Sequence, residues 1–310
     1  MVWRSGWKVA AVLACLGLVA GCGSKPVVGV LLPTSGAAST YGESIESGIR
    51  LALSDAREHR ELPEAFEVVW ADTASQPLRA VAELEKMVSE RDVKLVIGGA
   101  TSAEARALLP VLDELDVICI SPSASAPDLS EKSRSFYRLY PSDELEGSTA
   151  GKFLHDRLGI TKVLVYTGDT DYTRGIEPEF RNQYVDNLGG DIVATVDLTM
   201  EGWQDASRQG LRADPGAVYI VGYAEEILDV LGHLAEQGFD GRVVTTSAFY
   251  SSEVIHRAGE LAEGLMFPLP PFDRTSEKEP VLSFVVRYMD TYQRAPDVFA
   301  AHGYDAMRLA

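Results

Sequence analysis

Short apolar runs alternate with amphipathic stretches along most of this chain. Near-continuous runs of β-branched and other apolar residues predict strands covered on both faces, as in parallel sheets. In the first half of the chain these runs are Val27–Leu32, Phe66–Ala71, Val93–Ile97 and Val117–Ile120.

Apolar residues at helical spacing fill the intervals between these strands. The first set is Ile45, Ile49, Ala52 and Ala56, and the second is Leu78, Val81, Leu84 and Val88. A third helix is predicted from Ser102, as its N-cap, through Leu115, with a kink at Pro110. This alternation predicts a parallel sheet with right-handed crossovers.

A second series of the same kind follows Pro141. Its predicted strands are Lys162–Tyr166, Ile192–Val196, Ala217–Val221 and Val243–Thr246. The predicted helices between them are Asp143–Arg157, Gly175–Leu188 and Ala224–Gln237. The two halves share no evident sequence identity, so the pattern indicates two similar lobes and not an internal repeat.

Prolines mark where the chain is expected to cross between the lobes. Pro268–Pro271 contains three prolines, which stop both helix and sheet, and Pro141 separates the two series. We therefore predict an α/β protein of two Rossmann-like, doubly wound lobes joined by hinge segments near Pro141 and 268–272. The first lobe comprises residues 27–142 and 272–310, the second 143–271, and ligands of such sheets bind in the cleft at the carboxyl ends of the strands.

The N-terminus has the pattern of an export signal. Arg4 and Lys8 precede an apolar run that ends in LVAGC, with the cysteine at position 22. This predicts a lipoprotein signal peptide over residues 1–21, acylation of Cys22 and a short tether over 22–26. The alternative, a retained membrane anchor, requires about 20 apolar residues, and this run is shorter.

Net charge and cysteine content exclude two further kinds of function, nucleic-acid binding and thiol chemistry. The formal net charge is −18, and loss of Arg4 and Lys8 with the signal would make it −20. Such an acidic surface repels nucleic-acid backbones, so no nucleic-acid partner is expected. Only Cys119 would remain as a free thiol, and its apolar surroundings predict a buried, inert side chain.

Several segments, in order and spacing, resemble a known family. They are Gly29–Gly36 (GVLLPTSG) followed by Tyr41, Ile97–Ser102 (IGGATS), Ile120–Leu129 (ISPSASAPDL) and Gly303–Ala306 (GYDA). The chain resembles the type I periplasmic solute-binding proteins of the leucine/isoleucine/valine-binding group over nearly its full length after the signal.

The resemblance implies a set of ligand-binding residues. In this group a carboxylate is held at the start of the helix after the third strand and in the loop after the fourth, which corresponds here to Ser102, with Thr101 beside it, and to Ser123 and Ser125. Helix N-termini with hydroxyl residues suit an anion. Aromatic walls correspond to Tyr41, Tyr172 and Tyr223.

One position departs from the family pattern. Amino-acid binders of the group carry a glutamate for the ligand's ammonium where this chain has Ser247. A buried ammonium without a carboxylate partner is costly. Either another acid replaces it, with Asp169, Asp171 or Glu225 as candidates, or the ligand is not a zwitterion and the neighbouring Phe249 and Tyr250 enclose an uncharged or aromatic part.

No catalytic or nucleotide-binding motif such as GxSxG, HExxH, a P-loop or GxGxxG occurs, and the five histidines are scattered without ligand spacing. We therefore expect a binding protein and not an enzyme, with no metal or cofactor. Two hypotheses follow. The first is a lipid-anchored solute-binding protein of an ABC importer, on the extracytoplasmic face, that takes a small carboxylate-bearing solute and contacts the permease. The second is a sensory or regulatory lipoprotein that contacts a membrane or cell-wall protein.

The end of the sequence is the last departure. It stops at Ala310 inside an apparent helix, whereas members of the group usually continue and cross once more to the other lobe. A truncated sequence and a short variant are both compatible with this ending.

Overall fold

The first lobe is built on a five-stranded parallel sheet. The computed structural model describes residues 26–63 and 66–310, and the sheet order is β2-β1-β3-β4-β5. Its strands are β1 (Val27–Leu32), β2 (Glu67–Asp72), β3 (Leu95–Gly98), β4 (Ile118–Ser121) and β5 (Phe136–Arg138). β1 lies between two neighbours and is buried from Val28 onwards, as its uninterrupted apolar sequence requires.

Helices cover both faces of this sheet. They are α1 (Ser39–Glu58), α2 (Pro77–Arg91) and α3 (Ser102–Leu115). α1 buries Ile45, Ile49, Ala52 and Ala56, the stripe that the helical spacing predicts. Pro77 occupies the first turn of α2, where its missing N–H costs no helical hydrogen bond.

The second lobe contains a four-stranded parallel sheet of order β7-β6-β8-β9. Its strands are β6 (Lys162–Thr167), β7 (Asp191–Asp197), β8 (Ala217–Val221) and β9 (Arg242–Thr245). Its helices are α4 (Asp143–Lys152), α5 (Thr173–Arg181), α6 (Trp203–Leu211), α7 (Ala224–Glu236) and α8 (Ser252–Ala258). α4 and α5 each continue into a π-helical turn, over Phe153–Arg157 and Asn182–Asn187.

The last segment of the chain returns to the first lobe. α9 (Val281–Tyr292) and α10 (Val298–Leu309) both pack against α1. α10 approaches α1 so closely that a Cβ on Gly48 would overlap the carbonyl oxygen of Ala300, so a glycine is required there. The chain therefore crosses between the lobes twice, between β5 and α4 and again between Met266 and α9.

The α/β architecture of two parallel-sheet lobes is confirmed. All eight predicted strands are present, two of them with the predicted bounds and the others with bounds shifted by at most two residues. The pattern missed β5, which has only three residues, and the helices α6, α8 and α9. Cys119 is buried as predicted, and burial raises the pKa of its thiol to about 12.

The predicted signal peptide 1–21 and Cys22 lie outside the described residues, as does most of the tether. Within 26–63 and 66–310, every helix is too short or too polar to cross a bilayer.

Candidate ligand-binding site between the lobes

All eight predicted ligand-binding residues line a single cavity between the two lobes. They are Tyr41, Thr101, Ser102, Ser123, Ser125, Tyr172, Tyr223 and Ser247. The cavity lies at the carboxyl ends of the strands, where open α/β sheets bind their ligands. The structure thus brings together residues that are more than two hundred positions apart in sequence, while their role in binding stays a prediction.

The start of α3 forms one edge of the cavity. The sequence predicts Ser102 as the N-cap of this helix, but the N-cap is Thr101. Thr101 and Glu104 form a reciprocal capping box, which places the start of the helix there. Ser102 is instead the first helical residue. Its hydroxyl oxygen accepts hydrogen bonds from the backbone N–H groups of Ser125 (3.4 Å) and Ala126 (3.1 Å), which fixes the loop after β4 against the helix.

The loop after β4 completes this first-lobe wall. The Ser123 hydroxyl donates to the carbonyl oxygen of Ala100 at 2.6 Å. Ser125 does not cap the following turn, because that turn begins at Pro127 with Ala126 as its cap residue and has no side-chain cap. The wall therefore presents hydroxyl groups and a helix N-terminus, and no charged side chain of the described residues lines it.

Aromatic rings cover the opposite side. Tyr172 and Tyr223 are stacked, with ring centroids 5.0 Å apart and an interplanar angle of 22°. Tyr41 of the first lobe lies 5.8 Å from Tyr223. Its hydroxyl donates to the carbonyl oxygen of Ala248 (3.1 Å) and accepts from the N–H of Ala224 (3.0 Å). These hydrogen bonds connect Tyr41 to the second lobe, so the lobes are in a closed arrangement.

Sequence reasoning missed five residues that also line the cavity: Pro33, Ala100, Tyr140, Ala248 and Phe299. Tyr140 and Phe299 stack in parallel, 6.0 Å apart, and Phe299 also contacts Tyr41 at 4.9 Å. Tyr140 directly precedes the predicted hinge at Pro141, and Phe299 lies in the last helix. Tyr140 was accessible from the pattern, because residues at a hinge face both lobes, whereas the place of Phe299 depends on how the last helix packs.

The acids proposed to replace the family's glutamate lie elsewhere. Asp169 and Asp171 pair with Arg174, Asp171 pairs also with Arg106, and Glu225 pairs with Arg257. None of the three acids lines the cavity. Phe249 and Tyr250 do not line it either, because both pack against Phe267.

A different acid reaches Ser247. Glu146 of α4 accepts hydrogen bonds from the Ser247 backbone N–H (2.5 Å) and hydroxyl (2.8 Å). Glu146 and Asp143 are both buried. Burial raises the pKa of Asp143 to about 8, with a further rise from Glu146, and burial raises the pKa of Glu146 to about 7 against the lowering effect of the two Ser247 bonds.

The cavity itself holds only about 30 Å³, which is space for one or two water molecules. Separation of the lobes is therefore necessary before even a small solute enters. Among the residues that the structure describes, no group of three or more histidine, cysteine or acidic side chains is placed to hold a metal ion.

Comparison with known proteins places the chain in a family. Residues 26–310 match the model of the family described as periplasmic binding protein. The leucine-, isoleucine-, valine-, threonine- and alanine-binding protein of Pseudomonas aeruginosa is 26% identical over 89% of this chain and 74% of its own length.

Two solved structures are similar over 91% of this chain. The leucine-binding protein LivK of Thermotoga maritima is 27% identical with a TM-score of 0.82, over 81% of that chain. The branched-chain amino acid transporter substrate-binding protein LivJ of Streptococcus pneumoniae, in complex with isoleucine, is 26% identical with a TM-score of 0.83, over 82% of that chain.

These relatives are solute-binding proteins, so the expectation of a binding protein and not an enzyme is confirmed. The family also implies an extracytoplasmic location. The chain belongs to the periplasmic binding protein family, as a type I member of the branched-chain amino acid ABC transporter group.

Proposed function

We propose that this protein binds a small carboxylate-bearing solute, an amino acid or a close relative of one, between its lobes and delivers it to the permease of an ABC importer. The observation that carries the proposal is the first-lobe wall. Ser102, Ser123 and Ser125 gather at the N-terminus of α3, where hydroxyl groups and the positive end of the helix dipole favour an anion.

The names of the relatives support the choice of solute class. The Pseudomonas relative is named for the binding of five aliphatic or hydroxylated amino acids, and the Streptococcus structure contains isoleucine. The aromatic rings of Tyr172 and Tyr223 on the other side of the cavity offer apolar surface for a side chain.

Binding follows from closure of the lobes. A solute that contacts both lobes binds the closed state more tightly than the open state, so it shifts the equilibrium toward closure. The permease then recognises the closed state. We also propose that Cys22 carries lipid and tethers the protein to the membrane, so that the solute is captured close to the permease.

The test combines a ligand screen with substitutions in the first-lobe wall. The screen measures thermal stability of the full-length protein with the twenty standard amino acids and with aliphatic and aromatic carboxylates. For the tightest compound, Ser102→Ala with Ser125→Ala is expected to weaken calorimetric affinity at least about 30-fold, because hydrogen bonds to a charged carboxylate contribute about 1.5–3 kcal/mol each.

Ser89→Ala is the matched control, because Ser89 is an exposed serine of the same lobe whose hydroxyl bonds within α2. Affinity should be unchanged in this variant. Full affinity in the double variant, or no stabilisation by any compound of the screen, contradicts the proposal.

A further inference from the structure

Two acidic side chains of α4 are buried at the lobe interface. Asp143 and Glu146 are one helical turn apart and therefore lie on the same face of the helix. Asp143 is 0% exposed and Glu146 is 8% exposed. Buried carboxylates are rare in proteins unless they are paired with a cation or fully hydrogen-bonded.

Neither acid has a cationic partner within contact distance. Among the described side chains no lysine, arginine or histidine forms an ion pair with either one. Arg138 lies near enough to lower the pKa of Asp143, but its guanidinium donates to the carbonyl oxygens of Ser125 and Ala126 and to the Ser130 hydroxyl. The charge of the pair is thus uncompensated within the described part of the chain.

The hydrogen-bonding capacity around the pair is also unfilled. Both carboxylate oxygens of Asp143 and the hydroxyl groups of Tyr140 and Tyr172 are buried without a hydrogen-bond partner. Each oxygen of Glu146 accepts one bond from Ser247 and has a second lone pair available. Tyr140, Tyr172 and Ser247 all line the cavity. Asp143 and Glu146 do not themselves line the cavity in this closed arrangement. They lie behind its lining, where Glu146 bonds to Ser247, so the unfilled acceptors are concentrated on that side, and each buried one is costly.

We propose that Glu146, supported by Asp143, binds the ammonium group of the solute whose carboxylate the first-lobe wall holds. An ammonium group supplies three N–H donors to this acceptor-rich side, and its positive charge favours ionisation of both acids. The carboxylate comes from α4, more than a hundred residues away in sequence from Ser247, the position where the resemblance expects a glutamate. This proposal rests on the proposed function and identifies the solute as a zwitterion.

The ionisable groups around Asp143 and Glu146 predict whether protons are released when the ligand binds. Asp143 and Glu146 lie near each other, Arg138 and the tyrosines at 140, 172, 219 and 223. Burial raises the pKa of both acids, so they are partly protonated at pH 7. A bound ammonium group favours the ionised carboxylates. Binding of an amino acid at pH 7 therefore releases protons, whereas binding of a plain carboxylic acid gives no such release.

Two matched pairs of probes test the proposal: L-leucine with 4-methylpentanoate, and L-phenylalanine with 3-phenylpropanoate. Each pair differs only by the amino group. The full-length protein is expected to bind at least one amino acid 30-fold or more tighter than its partner. Glu146→Gln should reduce that ratio to threefold or less, and Glu144→Gln, an exposed neighbour on the same helix, should preserve it.

Calorimetry of the unaltered protein in two buffers of different ionisation enthalpy provides a second readout that needs no variant. Proton release with the amino acid supports the proposal. Equal binding within both pairs, no proton release, or a ratio that survives Glu146→Gln overturns it while leaving carboxylate binding intact. Failure of all four compounds to bind contradicts the proposed function itself.

Discussion

The two walls of the cavity are made of opposite chemistry. The first-lobe wall carries neutral serine and threonine hydroxyls at the N-terminus of α3, which favour negative charge. The facing wall carries Tyr172, Tyr223 and Ser247, with the buried acids Asp143 and Glu146 behind them. Such a cavity has a direction, and a ligand with one anionic and one cationic end fits it in one orientation.

The largest expected effect comes from placing a negative charge on the first-lobe wall. Ser102→Asp introduces a carboxylate where the ligand's carboxylate is expected, and calorimetry should show affinity for the best amino acid reduced more than about 100-fold. A carboxylate in the first turn of a helix is favourable, so the variant should still fold.

The thermal unfolding of Ser102→Asp checks that it folds, and Ser89→Asp on the exposed face of α2 is its control. Near-normal affinity in a folded Ser102→Asp variant would show that this wall does not receive the anion.

The second prediction concerns how protein stability depends on pH. This dependence comes from the buried acids behind the facing wall and not from the neutral hydroxyls of the first-lobe wall. Asp143, with a pKa of about 8 in the folded protein, holds its proton more tightly than in the unfolded chain, where the pKa is about 4. Stability of the ligand-free protein should therefore fall as pH rises from 5.5 to 8, by on the order of 3 kcal/mol from this group.

Denaturant unfolding at several pH values measures this slope. Asp143→Asn should reduce it to the part that Glu146 contributes, because asparagine does not titrate, whereas the exposed Asp186→Asn should leave it unchanged. An identical slope in Asp143→Asn and the unaltered protein would contradict the raised pKa of the buried acid.

The third prediction concerns the contact that joins the walls. Tyr41→Phe removes hydrogen bonds to Ala248 and Ala224 of the second lobe and keeps the ring against Phe299. At about 1 kcal/mol for each of the two bonds, solute affinity should fall roughly 30-fold. Small-angle scattering of the ligand-free variant should show a more open molecule, and unchanged affinity with unchanged scattering would remove Tyr41 from the closure mechanism.

The smallest effect is expected at the rim of the cleft. Arg106 of α3 pairs with Asp128 of its own lobe at 2.6 Å and with Asp171 of the second lobe. Because exposed ion pairs contribute about 1 kcal/mol or less, Arg106→Gln should weaken solute binding no more than about fivefold, and 1 M salt should abolish the difference. Arg50→Gln, which breaks a pair within α1, is the control.

The contrast between the walls also shows what a sequence can predict. Ser102, Ser123 and Ser125 follow directly after apolar strands, so their location at the carboxyl edge of a sheet comes from local pattern, and the family resemblance assigns their role. The aromatic residues Tyr172 and Tyr223 follow strands in the same way. The carboxyl ends of the strands lie at the same edge of any parallel sheet. No tertiary information is therefore needed to predict that the residues following the strands of one sheet are neighbours.

Glu146 was not predicted because its environment depends on packing between distant segments. It lies inside a helix, and its partner Ser247 is on another strand end. One signal was present: Asp143 and Glu146 share a helix face with the small residues Gly147 and Ala150, and that face is buried. Acids on a small-residue face indicate burial, but only the folded chain shows what they approach.

The assignment of an anionic and a cationic ligand end to the two walls is tested most directly by a crystal structure. The crystal should contain the full-length protein with the amino acid that binds most tightly in the screen. We predict its carboxylate within hydrogen-bond distance of Ser102 and Ser125, and its ammonium nitrogen within about 3.2 Å of a Glu146 oxygen. An amino acid bound in the reverse orientation, or with its ammonium group away from Glu146, would contradict the assignment of opposite charges to the two walls.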